Sequence, residues 1–592
     1  MSNSALQRTG AANREASEFI SYLADTITTG MGTPFRDVAR SVMDEYLSWA
    51  PSHATQVGWH IYDHLLEDIS EESLARCAKR CSQIVSELAA ISDASLSEDE
   101  RIDRDLAILL LRLKEYEIER LRPHEKRADA GNTIGHSLFF LFIRDMPPFE
   151  NRMESVMGRI EGIPKLLADS RKALRTPYRM WNEAQYEIGL EIPALLKEIE
   201  TTALKQMRDE RHKVRMKTAV AQGITAVEEH SRWLRDEVIP RADPRFTITP
   251  EEYDRLMELQ GFGISTPEAT RVFETHLVRA RKRIADIAKL VVPSGDLDEA
   301  FRRMKSDHPP NFGAAIKEYR ESAWRAREFL LQRDFLTIPN GEKLQVIETP
   351  RFMRPMFAFA AQYEPGKYDG SRTGLYLVTP DDGNPGLLRE HNFPGVQNTT
   401  VHEGYPGHHL QGICANENPS FIRTLMMSPD YGEGWALYTE DFMISKGYND
   451  NPLGRLANMS DLLFRIVRGL IDVKLPRGEM TLKEGADFLS RECRMDPKAS
   501  MQEARACAMG PTYYASYFLG KLGIVQLKED VMGVMGGRFT EKFFHDSLLY
   551  SGCMPMPFMR RAVAKELMEK HGLDLGPPKE CLYEYGMRTA KG

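Results

Sequence analysis

Three histidines and a glutamate lie within the eleven-residue stretch VHEGYPGHHLQ, residues 401–411. Its first polar pair, His402 and Glu403, begins like the zinc-hydrolase signature His-Glu-x-x-His, in which two histidines on one helical face bind the metal and the glutamate acts as general base. Pro406 stands where the second histidine should fall. The stretch therefore indicates either a metal site on an irregular helix or a helix end with histidines on its surface.

The spacing of the histidines shows what a metal site would require. On a regular helix, His408 lies about 240° around the axis from His402 and so on a different face. His409 returns to nearly the same face, but it lies about 10 Å further along the axis. A regular helix therefore cannot bring two of these histidines to one ion.

The residues between the histidines favour an insertion. Pro406 has no backbone N–H and its ring clashes with the carbonyl four residues earlier, while Gly404 and Gly407 allow the chain to bulge. We predict that two residues loop out before His408 and that this bulge returns its ring to the ligand face. Bulges of this kind often mark functional sites. His409 stays open as the alternative ligand; if it is not the ligand, we expect it to point into a channel that leads to the site.

A third ligand should be a carboxylate from another helix, since zinc in hydrolases keeps one position for water. The segment DYGEGWALYTEDF contains Glu433 and Glu440, two helical turns apart on one face. One of them could bind the metal while the other orients a ligand histidine. The alternative for Glu433 is structural: it could lie at the start of its helix because the helix dipole favours a negative charge there.

Residues nearer the C-terminus could contact a substrate. The run GPTYYASYFLGKLGI holds Tyr513 and Tyr517, and a tyrosine hydroxyl is a good donor to an oxyanion. The run FHDSLLYSGCMPMPFMRR contains His545 and Arg560. An arginine could bind a peptide carboxylate in a bidentate pair of hydrogen bonds. Helix packing for the tyrosines and a solvated helix face for the arginine are the alternatives.

Composition and charge exclude several classes of protein. The 592 residues are 42% hydrophobic, which is enough for a large core in two or more sub-domains. The net charge of −8 comes without a broad basic surface, so no nucleic-acid partner is expected. The most apolar run, residues 134–143, is about half as long as a membrane span, and the polar N-terminus lacks the apolar core of a secretory signal. We therefore expect no membrane partner and predict a cytoplasmic location.

The seven cysteines are scattered, which suits free thiols in a reducing compartment. Cys77 and Cys81 are one helical turn apart and could share a face. No second Cys/His pair lies nearby to complete a metal site. We therefore interpret this pair as packing residues.

The order of predicted elements places the motif. Helical periodicity fills the first 330 residues, and we predict an all-helical lobe over 1–330 and a catalytic lobe over 331–592. DFLTIPNGEKLQVIETP and SRTGLYLVTP read as strands just before the motif helix, and helices dominate after it. We expect the strand over 372–379 to hold an extended substrate, as an exposed edge strand can.

The motifs resemble those of the DUF885 family, whose pattern is His-Glu-x-x-Pro-Gly-His-His-Leu-Gln followed by Glu-Gly-Trp-Ala-x-Tyr. This chain has HEGYPGHHLQ at 402–411 and EGWALY at 433–438. YLSWAPSHATQVGWHIYDHLLEDIS, DGSRTGLYLV, SYFLGKLGI and FHDSLLYSG are also similar to segments of that family, so that the resemblance covers most of the chain. The family is grouped with zinc metallopeptidases of the gluzincin type.

The resemblance implies a fold and a reaction. The fold would be mainly α: an elongated, two-lobed helical protein with a deep channel and a small β-sheet beside the metal-site helix, as in thimet-oligopeptidase-like and carboxypeptidase-Taq-like enzymes. His402, His408 and Glu433 would bind Zn²⁺, Glu403 would be the general base, and Tyr517 would donate to the oxyanion. The function would be zinc-dependent hydrolysis of amide bonds in a short peptide or small amide substrate.

One departure from the family pattern concerns substrate preference. The family usually has Gln-Ala-x-Ser-Tyr in the block where this chain has YYASY. Tyr513 thus stands in place of a glutamine, and we count it with His545 and Arg560 as a substrate-binding candidate.

Two other functions fit the same residues. Two histidines and one carboxylate can hold Fe(II) for oxidative chemistry, although the glutamate after His402 then has no task. A non-catalytic helical binding protein could keep the metal site for structure alone.

Overall fold

The computed structural model describes residues 35–129, 131–143, 148–354 and 359–578. Helices dominate these ranges and a small three-stranded sheet accompanies them, which confirms the prediction of a mainly α protein. The N-terminal residues from which the absence of a secretory signal was predicted lie outside the described ranges.

The helices before the sheet are α1 Phe35–Trp49, α2 Pro51–Gln56, α3 Glu71–Ala89, α4 Glu98–Tyr116, α5 Pro123–Lys126, α6 Asn132–Ile143, α7 Phe149–Ala173, α8 Arg179–Gly189, α9 Ile192–Gln206, α10 Glu210–Trp233, α11 Ile239–Arg241, α12 Pro250–Leu259, α13 Thr266–Val291, α14 Leu297–Ser306 and α15 Phe312–Arg333. The strands are β1 Lys343–Glu348, β2 Ala360–Tyr363 and β3 Thr373–Val378. The helices after the sheet are α16 Pro385–Leu388, α17 Phe393–Glu403, α18 His408–Ala415, α19 Phe421–Met426, α20 Pro429–Ser445, α21 Pro452–Lys474, α22 Leu482–Cys493, α23 Pro497–Met509, α24 Tyr513–Met535, α25 Glu541–Leu549 and α26 Met556–His571.

The sheet order is β1-β3-β2. β3 pairs in parallel with β1, where Lys343 lies opposite Thr373, and antiparallel with β2, where Ala360 lies opposite Val378. The predicted strands β1 and β3 are confirmed, but the predicted strand at 334–338, before the PNGE turn, is absent, and β2 was not predicted. The expectation that the strand over 372–379 is an exposed edge is wrong, because β3 is hydrogen-bonded on both sides and has no free edge for a substrate.

Hydrophobic clusters join residues from both sides of residue 330. Leu106 of α4 and Met559 of α26 belong to one cluster, and Phe273 of α13 and Val467 of α21 belong to another. Burial of apolar area against both halves of the chain therefore stabilises each cluster. The division into 1–330 and 331–592 stays a prediction, and these shared clusters do not follow it.

Helices α20 and α24 cross with their backbones in direct contact. A Cβ on Gly434 would lie 2.5 Å from the carbonyl carbon of Gly520, and a Cβ on Gly520 would lie 1.7 Å from the carbonyl oxygen of Asp430. Only glycine, which has no Cβ, permits this approach. The crossing brings Glu433 on α20 beside Tyr513 on α24.

Within the described ranges, none of the helices combines the length and the apolar character that a membrane span requires. The six cysteines in those ranges are free thiols. Cys77 and Cys81 are buried on α3, which confirms that this pair packs in the core.

Candidate metal centre

The chain between α17 and α18 contains the predicted two-residue insertion. The amide of Gly407 donates to the carbonyl of Val401 at 3.0 Å, and the amide of Leu410 donates to the carbonyl of Gly404 at 3.3 Å. Both hydrogen bonds span six residues, where an α-helix spans four. The insertion divides the motif into two helices, with a cis Tyr405–Pro406 peptide between them, and so differs from the expected bulge within one continuous helix.

Two contacts hold this inserted turn. A Cβ on Gly407 would lie 1.7 Å from the carbonyl oxygen of His402, so only glycine fits at this position. The indole of Trp435 on α20 donates to the carbonyl oxygen of Pro406 at 2.8 Å. The turn is therefore held against the helix that supplies the carboxylates.

The insertion brings two histidines and a carboxylate together. The imidazole rings of His402 and His408 lie 4.8 Å apart at an angle of 88°. Glu433 Oε2 lies 3.6 Å from His402 Nε2 and 3.2 Å from His408 Nε2. Ligands bound tetrahedrally to zinc at 2.0–2.1 Å are about 3.3 Å apart. These distances therefore match the spacing of zinc ligands, and this trio is the only such group found among the described residues.

The two oxygens of Glu433 have different surroundings. Oε1 accepts a hydrogen bond from the hydroxyl of Tyr513 at 2.8 Å. Oε2 is buried and accepts no hydrogen bond. A buried carboxylate oxygen without a donor is costly, and a metal ion between it and the two imidazoles would satisfy it. The donor set of two imidazoles and one carboxylate thus fits Zn²⁺.

The electrostatics of the trio favour positive charge at this point. Burial alone would lower the pKa of His402, but Glu433 and Glu440 outweigh burial and raise this pKa to about 10. Burial likewise opposes the charged form of His408, and Glu433 still raises the pKa of His408. The two histidines in turn lower the pKa of Glu433 well below its usual value, against the effect of burial. A cation is therefore stabilised here, whether it is a proton or a metal ion.

Glu440 lies on the other side of His402. Its Oε1 is 2.7 Å from His402 Nδ1, and its Oε2 accepts from the Asn398 amide at 2.8 Å. The same amide nitrogen of Asn398 donates to Asp461 at 2.7 Å. With Nδ1 engaged in this way, His402 presents Nε2 to Glu433. Glu433 thus lies between the two imidazoles, and Glu440 lies behind the ring of His402.

Asn398 and Asp461 were not predicted. Asn398 lies four residues before His402 on α17, so the helical period alone could have placed it on the ligand face. Asp461 is on α21, and no local pattern connects it to the motif.

His409 is fully buried and faces away from the trio. Its Nε2 lies 2.9 Å from Glu342 Oε2, and the same carboxylate accepts from the Tyr405 hydroxyl and from Arg327. Burial alone would raise the pKa of Glu342, but these three partners lower it to about 2. The expectation that His409 points into the channel is wrong, since its ring is buried and contacts Glu342 on the side of the inserted turn that faces away from the trio.

Glu403 ends α17, directly after His402. Its carboxylate is partly exposed and makes no hydrogen bond or ion pair to any residue in the described ranges. A carboxylate that stays free beside a candidate metal centre is available to take a proton from water.

A cavity of about 300 Å³ opens beside the trio. His408, Glu433 and Tyr513 line it. Tyr513 is 39% exposed, and the negative charge of Glu433 holds the pKa of its phenol well above the usual value. Tyr517 packs edge-to-face on the Tyr513 ring, with centroids 5.8 Å apart, and is only 9% exposed. The hydroxyl that faces the cavity is thus that of Tyr513.

The structure does not bring His545 or Arg560 to the cavity. His545 is buried, with Nε2 2.9 Å from the Tyr438 hydroxyl and Nδ1 3.0 Å from the carbonyl of Phe335. Burial lowers the pKa of His545 to about 3. Arg560 donates to Asp530 at 2.7 Å. Both side chains support neighbouring helices instead of lining the cavity.

Comparison with known proteins identifies a family and a fold. The profile of the family described as "Bacterial protein of unknown function (DUF885)" matches residues 51–563. A putative lipoprotein of unknown function from Shewanella oneidensis is 23% identical with a TM-score of 0.75, over 90% of this chain and 100% of its own. The putative lipoprotein from Colwellia psychrerythraea is 17% identical with a TM-score of 0.77, over 91% and 100%. No curated protein matches the chain. At these identities, the two structures show a shared fold.

Proposed function

We propose that this chain, which belongs to the DUF885 family, is a zinc-dependent hydrolase that cleaves amide bonds in short peptides or small amides. The observation that carries the proposal is the approach of His402, His408 and Glu433 to the spacing of zinc ligands. The resemblance of the motif to gluzincin-type metallopeptidases supports it. The free carboxylate of Glu403 favours hydrolysis over oxidative iron chemistry, because only hydrolysis gives a general base a task.

His402, His408 and Glu433 would hold the metal. Zn²⁺ bound there would lower the pKa of water and polarise the substrate carbonyl. Glu403 takes a proton from the attacking water as the C–O bond forms, and it passes this proton to the leaving amine nitrogen as the C–N bond then breaks. Glu440 keeps the ring of His402 in place through Nδ1.

Tyr513 has the best position for contact with the substrate carbonyl. Its hydroxyl bonds Glu433 and lines the cavity. Its raised pKa keeps the phenol protonated, so its single O–H can turn from Glu433 Oε1 to donate a hydrogen bond to a developing oxyanion. Tyr517, the donor implied by the family resemblance, packs edge-to-face on the ring of Tyr513 and is less exposed.

The cavity volume favours small substrates. About 300 Å³ is at the lower end of ligand-pocket sizes. A folded protein cannot enter it, whereas the end of a short peptide can. The cytoplasmic location stays a prediction, and the two solved relatives are described as putative lipoproteins.

Substitution of the general base tests the proposal. Glu403→Gln should bind zinc as the parent does and should cleave a short-peptide library about 10²–10⁴-fold more slowly, measured by mass spectrometry. Glu72→Gln is the matched control, because the side chain of Glu72 is 85% exposed and lies outside the site. Cleavage at the parental rate by zinc-loaded Glu403→Gln would refute the mechanism.

A further inference from the structure

The cavity beside the candidate metal centre contains a lysine without an ion-pair partner. Lys367 lies in the loop between β2 and β3 and lines the same cavity as His408, Glu433 and Tyr513. Its ammonium donates to the backbone carbonyl of Asn418. Among the residues that the structure describes, no carboxylate pairs with it. Two of its three N–H groups are therefore available to a ligand.

The two carboxylates whose charge acts on Lys367 are already engaged by arginines. Glu417 pairs with Arg372 at 2.6 Å, and Asp103 pairs with Arg423 at 2.7 Å. Burial lowers the pKa of Lys367 to about 8, although both carboxylates oppose this shift. The ammonium thus lacks a counterion of its own within a partly desolvated wall.

The loop that carries Lys367 is held firmly. The amide of Tyr368 donates to the carbonyl of Val57 at 3.2 Å. Asp369 lies 3.0 Å from His60 Nε2, so an ion pair ties the loop to the segment after α2. A loop fixed at the two residues that follow the lysine gives it a defined position and lowers the entropy that a ligand must remove.

We propose that Lys367 binds a carboxylate of the substrate, so that the preferred substrates are short peptides or N-acylated amino acids with a carboxylate in this cavity. The inference rests on the proposed function for its reaction, while the binding of the carboxylate can be tested separately. A carboxylate would supply the missing counterion and accept charge-assisted hydrogen bonds from the two available N–H groups.

The rest of the cavity wall agrees with such a substrate. Val57, Met427 and Pro429 line it and can pack an apolar side chain. Glu364 also lines it, and its side chain lies against Gly412 on α18. Lys367 is therefore the group on this wall to which a substrate anion is attracted.

Paired peptides test the inference by binding alone. Acetyl-Ala-Leu as the free acid and as the C-terminal amide would be titrated by calorimetry into the zinc-loaded Glu403→Gln variant, which leaves them intact. The free acid should bind about tenfold to a hundredfold more tightly than the amide. This preference should disappear in the added Lys367→Met substitution. Equal behaviour of acid and amide, including no binding of either, overturns the inference, as does a preference that survives Lys367→Met.

A second pair of probes locates the carboxylate. Acetyl-Ala-Glu amide and acetyl-Ala-Gln amide differ only in a side-chain charge. If the Glu amide binds more tightly and this depends on Lys367, the cavity accepts a side-chain carboxylate. If only the Leu acid is preferred, it accepts the C-terminal one. Both outcomes support a carboxylate site at Lys367.

Control variants separate loss of charge from loss of structure. Lys367→Gln keeps a donor for the carbonyl of Asn418 but has no charge, so it too should lose the preference, whereas Lys367→Arg should retain it. Lys172→Met removes a lysine charge at a side chain that is 80% exposed and should change nothing. A lysine-dependent preference without any hydrolysis would refute the proposed reaction alone. Equal cleavage of acid and amide would refute only the role of Lys367.

Discussion

Glu440→Gln is the substitution that best separates a metal ligand from the residue that orients it. In the structure, Glu440 accepts from His402 Nδ1 through one oxygen and from Asn398 through the other. Glutamine has the same shape but only one oxygen, so its amide nitrogen must face one of the two donors. Asn398 cannot easily turn away, because its amide nitrogen also bonds Asp461 at 2.7 Å.

The expected effect on zinc follows from this conflict. Loss of a carboxylate behind a ligand histidine weakens metal binding about tenfold to a hundredfold, which corresponds to about 1.4–2.8 kcal/mol. A ligand residue behaves differently, because Glu433→Gln removes the charged oxygen that faces both imidazoles. We therefore expect Glu433→Gln to abolish stoichiometric zinc and Glu440→Gln to retain one zinc with reduced affinity.

Proton competition changes with the same substitution. The pKa of His402 is raised to about 10 without a metal, so zinc must displace a proton at neutral pH. Without the charge of Glu440 this pKa falls and the proton competes less. Zinc affinity should therefore rise less steeply with pH around neutrality in Glu440→Gln than in the parent.

Competition with a chromophoric chelator at several pH values measures the affinity, and elemental analysis measures the stoichiometry. Thermal unfolding of the zinc-free proteins controls for loss of fold. Parental zinc affinity in Glu440→Gln would refute an orienting role for Glu440. Complete loss of zinc in Glu440→Gln together with retention in Glu433→Gln would show that Glu440 is the ligand and that Glu433 orients His402.

Four further substitutions test the inserted turn and the loop contacts. His408→Ala should abolish zinc binding, whereas His409→Ala should keep it and lower the free energy of unfolding by about 1.5–3 kcal/mol, measured in denaturant, because buried Glu342 loses a charge-assisted hydrogen bond. Gly407→Ala should disrupt the turn and release zinc, because its Cβ would lie 1.7 Å from a carbonyl oxygen of α17; unchanged zinc content would contradict this. Two carboxylates outweigh burial and raise the pKa of His60 to about 9. The contribution of protonated His60 to the free energy of unfolding is therefore complete below pH ~6.5 and is lost as pH rises through about 9. Urea unfolding of His60→Gln should lack this alkaline loss.

Local sequence predicted much of the centre. The helical period, together with Pro406 and Gly407, was enough to predict a two-residue insertion that returns His408 to the face of His402. Such reasoning succeeds because backbone geometry over six residues depends on those residues themselves. Runs of β-type residues likewise predicted β1 and β3, and apolar residues at spacings of three and four predicted a mainly helical chain.

Long-range packing decided what the local pattern left open. Glu433 and Glu440 lie on one face of α20, so the helical period alone cannot distinguish the candidate ligand from the residue that orients His402. The contact of α20 with α17 sets which carboxylate meets Nε2 and which meets Nδ1 of His402. The contact at Gly434 and Gly520 then sets Tyr513 beside Glu433.

The errors have the same origin. β3 was expected at an edge because its sequence shows a strand but not its neighbours, and the pairing with β2 makes it central. His409 was expected in the channel, yet Glu342, 67 positions earlier in the chain, holds it in the core. The sequence by itself thus determined which residues are candidate metal ligands and that two residues are inserted between His402 and His408. The tertiary structure alone decided which side chains face the cavity, because burial depends on contacts between segments far apart in the chain.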